Sequence, residues 1–266
     1  MTILQCPVCG SNLQRETRRL VCPNRHSFDM AKEGYVNLLL SGKPGDLKGD
    51  NKEMARSRRD FLNRGFFAPL AQAMRECAAA CTAEGDAVMD ICCGEGYYTQ
   101  RLCELPNRLV CGFDISKNMV RLAAKRRCGA TFFVANIADI PVKDNSISFA
   151  AHLFAPFHAA EFTRILKEGG TLASVIPGRN HLMGLKEVLY SEPYPNDEKA
   201  PDAPTLRLID KIRVRDTVTL PTKEDISLLF QMTPYFYHTP SQGMKQLQRL
   251  ATLTTDIDFI ILLFRK

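Results

Sequence analysis

Four residues near the N-terminus have the types and spacing of a metal site. Cys6 and Cys9 form C-x2-C and, after twelve intervening residues, Cys22 and His26 form C-x3-H. Three thiolates and an imidazole suit tetrahedral zinc, because each pair fits on one tight turn and the segment between them can fold back to bring the turns together. Gly10 follows the first pair, where a knuckle turn needs positive φ. Four protein ligands close the coordination shell, so one structural zinc is expected, replacing the core that so small a module cannot bury. LQRETRRL, between the pairs, has the length for two short strands and a turn. Arg15, Arg18, Arg19, Arg25 and Lys32 outnumber Glu16, Asp29 and Glu33 here, a tilt that serves RNA contact or is simply solvated.

A second set of residues has the pattern of a nucleotide-type ligand site. In AVMDICCGEGYYTQRL, at 87–102, an apolar strand run ends in a glycine turn and a helical pattern resumes at Tyr97. Gly94 and Gly96 let the backbone approach a ligand, with Asp90, Cys92 and Glu95 beside them. LVCGFDIS, at 109–116, is a second strand whose Asp114 is placed to bind ribose hydroxyls. ATFFVANIAD, at 130–139, is a third, bringing Asn136 and Ile137 near an adenine; SISFAAHLFAP and GGTLASVIP are a fourth and a fifth. The turn lacks the third glycine of a dinucleotide-binding dehydrogenase.

These residues need an α/β scaffold: strands alternating with helices imply a mostly parallel sheet that binds ligand at its carboxyl ends. QMTPYFYH and TDIDFIILLFRK alternate as strands, and are expected to close the sheet as an antiparallel hairpin. Residues 41–53 read as a linker, and 54–64 as a helix with Met54, Phe61 and Leu62 on one stripe. Arg56, Arg58, Arg59 and Arg64 around that stripe serve nucleic acid or form the solvated face of a core helix. The Pro-, Asp- and Lys-rich stretch 191–208 reads as part of a mobile insertion over about 185–225.

The composition permits this plan. The chain has 266 residues, 45% of them apolar and 24% charged, with a net charge of +6. That suits one α/β domain with a small appendage, and an anionic partner. No apolar run long enough to span a membrane and no signal-peptide core occurs, so a cytoplasmic protein is expected, with its non-ligand cysteines reduced.

The succession CPxC, CPxxHxFDxAKEGYVNLL, GD..EMAR....FL..G...PL, DI.CGEGYYT, AP and P...HLM.LK resembles the zinc-containing 23S ribosomal RNA (guanine-N1-)-methyltransferase family over almost the whole chain. The resemblance implies a class I methyltransferase fold, Rossmann-like, with a zinc-ribbon-like module. It implies a module at 1–40, a linker and cofactor-lid helix at 41–70, and a catalytic domain at 71–266. It further implies methyl transfer from S-adenosylmethionine to guanine N1 in a 23S hairpin, RNA recognition by the zinc module, a homodimer, and a link to macrolide-type antibiotic response. Two positions depart from the family pattern. Cys92 stands where the first glycine of the Asp-x-Gly-x-Gly-x-Gly loop usually is, and Phe66-Phe67 replaces His-Tyr, keeping an aromatic lid without its hydroxyl.

Methylation at guanine N1 requires that its proton leave, and positioning can matter as much as a base. Glu161 and His158 are candidates for the proton, Asn136 and the carbonyls from Phe154 to Pro156 for the base edge, and the Phe154 ring for stacking on a flipped guanine, or for the core. His152 and His158 read equally as packing or capping residues, whereas His181, directly after strand five, is expected to touch the cofactor or its carboxylate. Phe67 is expected to cover the cofactor. The rival readings are a methyltransferase for a small molecule or protein, and a non-catalytic RNA-binding protein that lost cofactor binding through Cys92.

Overall fold

A computed structural model describes residues 3–40 and 52–266, so most of the linker expected at 41–53 lies outside the described residues. Three short strands, β1 (Gln14–Glu16), β2 (Arg19–Val21) and β3 (Ser27–Asp29), form an antiparallel sheet around the cysteine turns. β4 (Val36–Asn37) then leaves this module and pairs in parallel with β7 (Thr131–Val134) at the edge of the large sheet. Leu4, Leu13 and Leu20 share one apolar cluster with Phe113 and Phe133. The ribbon is therefore fused to the main body through β4 and a common core.

The large sheet has the order β10-β11-β9-β8-β5-β6-β7-β4. Its parallel part comprises β5 (Ala87–Ile91), β6 (Leu109–Asp114), β8 (Ile147–Leu153) and β9 (Leu166–Pro177) together with β7 and β4. β5 and β8 are buried along their whole length, as expected of mostly apolar strands covered on both faces, with Asp90, Ser148 and His152 the buried polar exceptions. The chain moves outward from β5 in both directions, so a crevice opens at the carboxyl ends of β5 and β8, where the strand order reverses.

Helices α1 (Lys52–Asn63), α2 (Ala68–Cys81), α3 (Tyr97–Leu102), α4 (Lys117–Lys125) and α5 (Ala159–Ile165) precede or connect these strands. α6 (Met183–Leu189), α7 (Lys223–Gln231) and α8 (Ser241–Arg249) lie in the C-terminal part. None of the ten cysteines is in a disulfide.

The antiparallel closure is present, but its strands differ from those expected. β11 (Leu253–Arg265) pairs with β9 on one side and with β10 (Arg207–Leu220) on the other. QMTPYFYH is instead the end of α7 and a 3-10 turn at Pro234–Tyr237, since β10 already occupies the edge beside β11. Much of the stretch read as an insertion is thus integral sheet: Ile212, Val214, Val218 and Leu220 alternate inward, and Lys211, Arg213 and Arg215 outward.

Candidate active site and metal centre

The two turns of the ribbon bring Cys6, Cys9, Cys22 and His26 together, with their ligand atoms all within 4.8 Å of one another. Gly10 at φ 70° and Arg25 at φ 63° close the knuckles, with Gly10 N–H donating to the Cys6 carbonyl at 2.8 Å and Arg25 N–H to that of Cys22 at 2.9 Å. Cys9 and Cys22 sulfurs are 3.8 Å apart, and His26 Nδ1 is 3.4 Å from the sulfurs of Cys6 and Cys22. Zinc–ligand bonds of about 2.0–2.3 Å at tetrahedral angles give edges of about 3.5–3.8 Å, so the donor set fits zinc with no open position.

The second site is built on the turn after β5. Cys92, Gly94 and Gly96 all have positive φ, at 55°, 54° and 84°. A side chain at Gly96 is excluded, because its Cβ would lie 2.9 Å from that of Ala123 in α4. Asp114, at the end of β6, tethers the turn: its Oδ2 accepts from Gly94 N–H at 3.1 Å and its Oδ1 from Ser116 N–H at 2.8 Å. Glu95 is buried and held by Arg126, which also donates to the Glu95 carbonyl at 2.8 Å. Burial raises the Glu95 pKa in spite of that partner.

A cavity of about 460 Å³ opens from this turn. Of the residues assigned to cofactor from sequence, Phe67, Asp90, Cys92, Gly94, Glu95 and His181 line it. Gly96 and Asp114 support the turn from outside that lining. Asn136 and Ile137 follow β7, adjacent to the Asp114 end of β6 through the Asp114–Val134 register; the Asn136 side chain accepts from Ala138 N–H at 3.0 Å. Asp90 is 1% exposed and accepts from the Thr99 hydroxyl at 2.5 Å. Burial, then the charges of Asp114 and Glu95, pushes its pKa up to about 7. Burial also raises the Cys92 thiol, which stays neutral.

His181 is neutral as well, with burial lowering its pKa to about 3. Its Nδ1 accepts from Asp258 N–H at 3.3 Å, so the proton sits on Nε2, leaving that atom a donor. The ring packs 4.3 Å from Phe259, which Phe67 meets edge-on at 5.2 Å.

The residues proposed for the chemical step are not gathered together. Phe154 lines the cavity at the end of β8, 48% exposed and at φ 56°, a left-handed conformation costly for a non-glycine residue. Pro156 lies outside the lining, and its carbonyl accepts from His152 Nε2 at 3.2 Å. His152 is buried and neutral, its pKa lowered by burial to about 4, and its Nδ1 faces the Ser174 hydroxyl at 3.0 Å. Glu161 lies on α5 with its carboxylate bound by Arg164 at 2.8 Å and by Ile140 N–H at 2.8 Å, away from the cavity. Arg58, one of the arginines singled out on the first helix, lines the cavity, as do Tyr98, Tyr194, Asn196, Thr233 and Tyr235, which no motif in the sequence had marked as site residues.

The cavity fits a cofactor that is cationic at one end and polar at the other. A buried carboxylate stands at the glycine turn, His181 offers a donor, and the Tyr98 hydroxyl is buried without a hydrogen-bond partner among the described residues. S-adenosylmethionine has this chemistry: sulfonium and ammonium charges, a carboxylate, and a nucleoside.

Comparison with known proteins agrees with this geometry. Residues 4–41 match the family described as "RlmA, N-terminal", a zinc ribbon, and residues 88–170 match "Methyltransferase domain". A 23S rRNA (guanine(748)-N(1))-methyltransferase of Streptomyces fradiae is 37% identical over 190 residues, 70% of this chain and 67% of that protein. YxjB of Bacillus subtilis (strain 168), provisionally assigned the guanine-N1 reaction, is 29% identical over 98% of this chain and 96% of its own length. A trans-aconitate 2-methyltransferase of Afipia carboxidovorans is 38% identical over 35% of this chain and 40% of that protein. Among solved structures, geranyl diphosphate C-methyltransferase from Streptomyces coelicolor A3(2) is similar at 14% identity and a TM-score of 0.45, covering 73% of this chain and 76% of that one.

The fold and the two sites define a class I S-adenosylmethionine-dependent methyltransferase carrying a structural zinc ribbon. Within that class, the chain belongs to the 23S rRNA (guanine-N1-)-methyltransferase family.

Proposed function

We propose that this protein methylates N1 of a guanine in a 23S ribosomal RNA hairpin. The observation that carries the reading is one continuous cavity that runs from Asp90 and Gly94 to the exposed rings of Phe154 and Tyr194. Bound S-adenosylmethionine supplies an electrophilic methyl group on a sulfonium. The protein's part is positional. Asp90 attracts the cofactor's cationic groups, His181 Nε2 donates to its carboxylate, and Asp114, with Asn136 and Ile137, serves its nucleoside. Phe67 closes the cofactor side. At the other end, aromatic faces receive a base taken out of its stack. No carboxylate among the candidates is free at that end, so the N1 proton leaves to water or to the RNA, and catalysis rests on alignment.

The basic ribbon, with Arg15, Arg18 and Arg25, is the companion RNA surface. Family resemblance supports the homodimer, the cytoplasmic location and the link to macrolide response. No described helix is long and apolar enough to cross a membrane. The small-molecule alternative draws on a relative that matches 35% of the chain, and leaves the ribbon without a role.

The test is transfer of labelled methyl from S-adenosylmethionine to a 23S RNA transcript, followed by nucleoside analysis. The expected product is 1-methylguanosine. Label in another nucleoside, or none in RNA, would reject the assignment.

A further inference from the structure

Lys186 on α6 is 0% exposed, although an ammonium is among the costliest groups to bury. Its partners are the Tyr194 carbonyl at 2.9 Å, Asn196 Oδ1 at 2.7 Å and the face of the Tyr194 ring, 4.6 Å from Nζ to the centroid. The Tyr235 ring lies farther off, at 5.8 Å. None of these is a carboxylate. The Asn196 side chain, whose Oδ1 accepts from Lys186, donates through Nδ2 to the carbonyls of Gly178 at 3.0 Å and His181 at 3.2 Å.

These contacts hold a segment that has no helix or strand of its own between α6 and β10. Within it, Pro193 and Pro195 bracket Tyr194, limiting the backbone on both sides. Tyr194 lines the cavity yet is 54% exposed, with the ammonium against one face of its ring. A cation on one face leaves the opposite face for a flat, electron-rich partner, and a purine base is such a partner.

We propose that Tyr194 is the platform on which the acceptor purine stacks, and that Lys186 is the positioning residue that fixes this platform against the cofactor side of the cavity. The inference rests on the reading of the acceptor as an RNA base, and adds the residues that select it. Lys186 acts through Tyr194 and touches no substrate.

The experiment measures methyl transfer to 23S RNA, and cofactor binding by calorimetry, for the full chain and four variants: Tyr194→Ala, Tyr194→Phe, Lys186→Met and the Tyr194→Ala/Lys186→Met double. Tyr194→Ala and Lys186→Met should each raise the KM for RNA by about tenfold to a hundredfold, as expected for loss of one stacked base. The Kd for cofactor should stay within about threefold, and Tyr194→Phe, which keeps the ring, should reverse most of the KM effect seen in Tyr194→Ala. Because one residue acts through the other, the double variant should be no worse than Tyr194→Ala alone. Multiplied losses in the double variant, or an unchanged KM in Tyr194→Ala, would overturn the proposal.

Guanosine 5′-monophosphate binding in the presence of S-adenosylhomocysteine is read in parallel and does not depend on turnover. If the wild type methylates no RNA but binds this nucleotide, and Tyr194→Ala abolishes the binding, the platform stands while the RNA assignment fails. If wild type binds the nucleotide no better than Tyr194→Ala does, the platform itself is refuted. Should Lys186→Met not fold, the two Tyr194 substitutions still decide the outcome.

Discussion

Acidification should weaken cofactor binding along the titration of one carboxyl group, Asp90. Its side chain is buried beneath the glycine turn, and burial, with the nearby charges of Asp114 and Glu95, pushes its pKa up to about 7 against the opposing hydrogen bond from Thr99. A cationic ligand prefers the carboxylate form. From about pH 8 to about pH 6 the carboxylate fraction of a group titrating near 7 falls about tenfold, so the Kd should rise about tenfold, or about 1.4 kcal/mol. Stability without cofactor moves in the opposite direction. The folded pKa lies above the unfolded one, so the folded chain binds more protons between them, and stability falls as pH rises from about 4 to about 7. Asp90 alone accounts for a loss on the order of 4 kcal/mol across that window. Calorimetric titration with S-adenosylmethionine at several pH values, repeated on Asp90→Asn, reads the effect. The variant should bind more weakly at high pH and lose the pH slope. A flat Kd in the wild type, or an equal slope in the variant, refutes the assignment of Asp90 to the cationic end of the cofactor.

Other perturbations separate structure from chemistry. Cys22→Ala should release about one zinc per chain and lower the melting temperature of the whole protein in one transition, because Leu4, Leu13 and Leu20 share a core with Phe113 and Phe133; two separated calorimetric transitions would contradict the fused core. Cys92→Gly, at φ 55°, should stabilise the protein by about 1 kcal/mol in urea unfolding and keep cofactor affinity, whereas lost binding would give the thiol a role in the site. Glu161→Gln should cost about 1–2 kcal/mol of stability through its Arg164 and Ile140 contacts and leave kcat within about twofold; a hundredfold fall in kcat would restore Glu161 as proton acceptor.

Much of the scaffold was legible because its signals are local. The Cys3His spacing, the apolar run of β5 and the glycine turn each depend on neighbours in sequence, and the structure places those residues together. Residues 212–220 carried an equally clear period of two, but lay behind a stretch of prolines and charges and were read with it. QMTPYFYH misled for the converse reason: its alternation is real, but β10 had already taken the edge it needed. Lys186 stood only as the last letter of the HLM.LK motif, with no role attached, and Tyr194 and Asn196 lay in the stretch read as an insertion, since nothing local marks a lysine that is buried by a loop folding over it. Glu161 illustrates the limit for single side chains: position after a strand suggests chemistry, while its carboxylate is tied both by Arg164, an i,i+3 neighbour on the same helix, and by Ile140 N–H, a contact that only the fold reveals.

One cavity should align a sulfonium methyl with N1 of an extruded guanine. Primer extension on 23S RNA treated with the protein and S-adenosylmethionine tests this most directly, since a methyl at N1 blocks Watson–Crick pairing. One strong stop is expected, at a guanine of a hairpin, absent without cofactor and much reduced with Tyr194→Ala. RNA that is read through without a stop, or a cofactor-dependent stop at a base other than guanine, would contradict it.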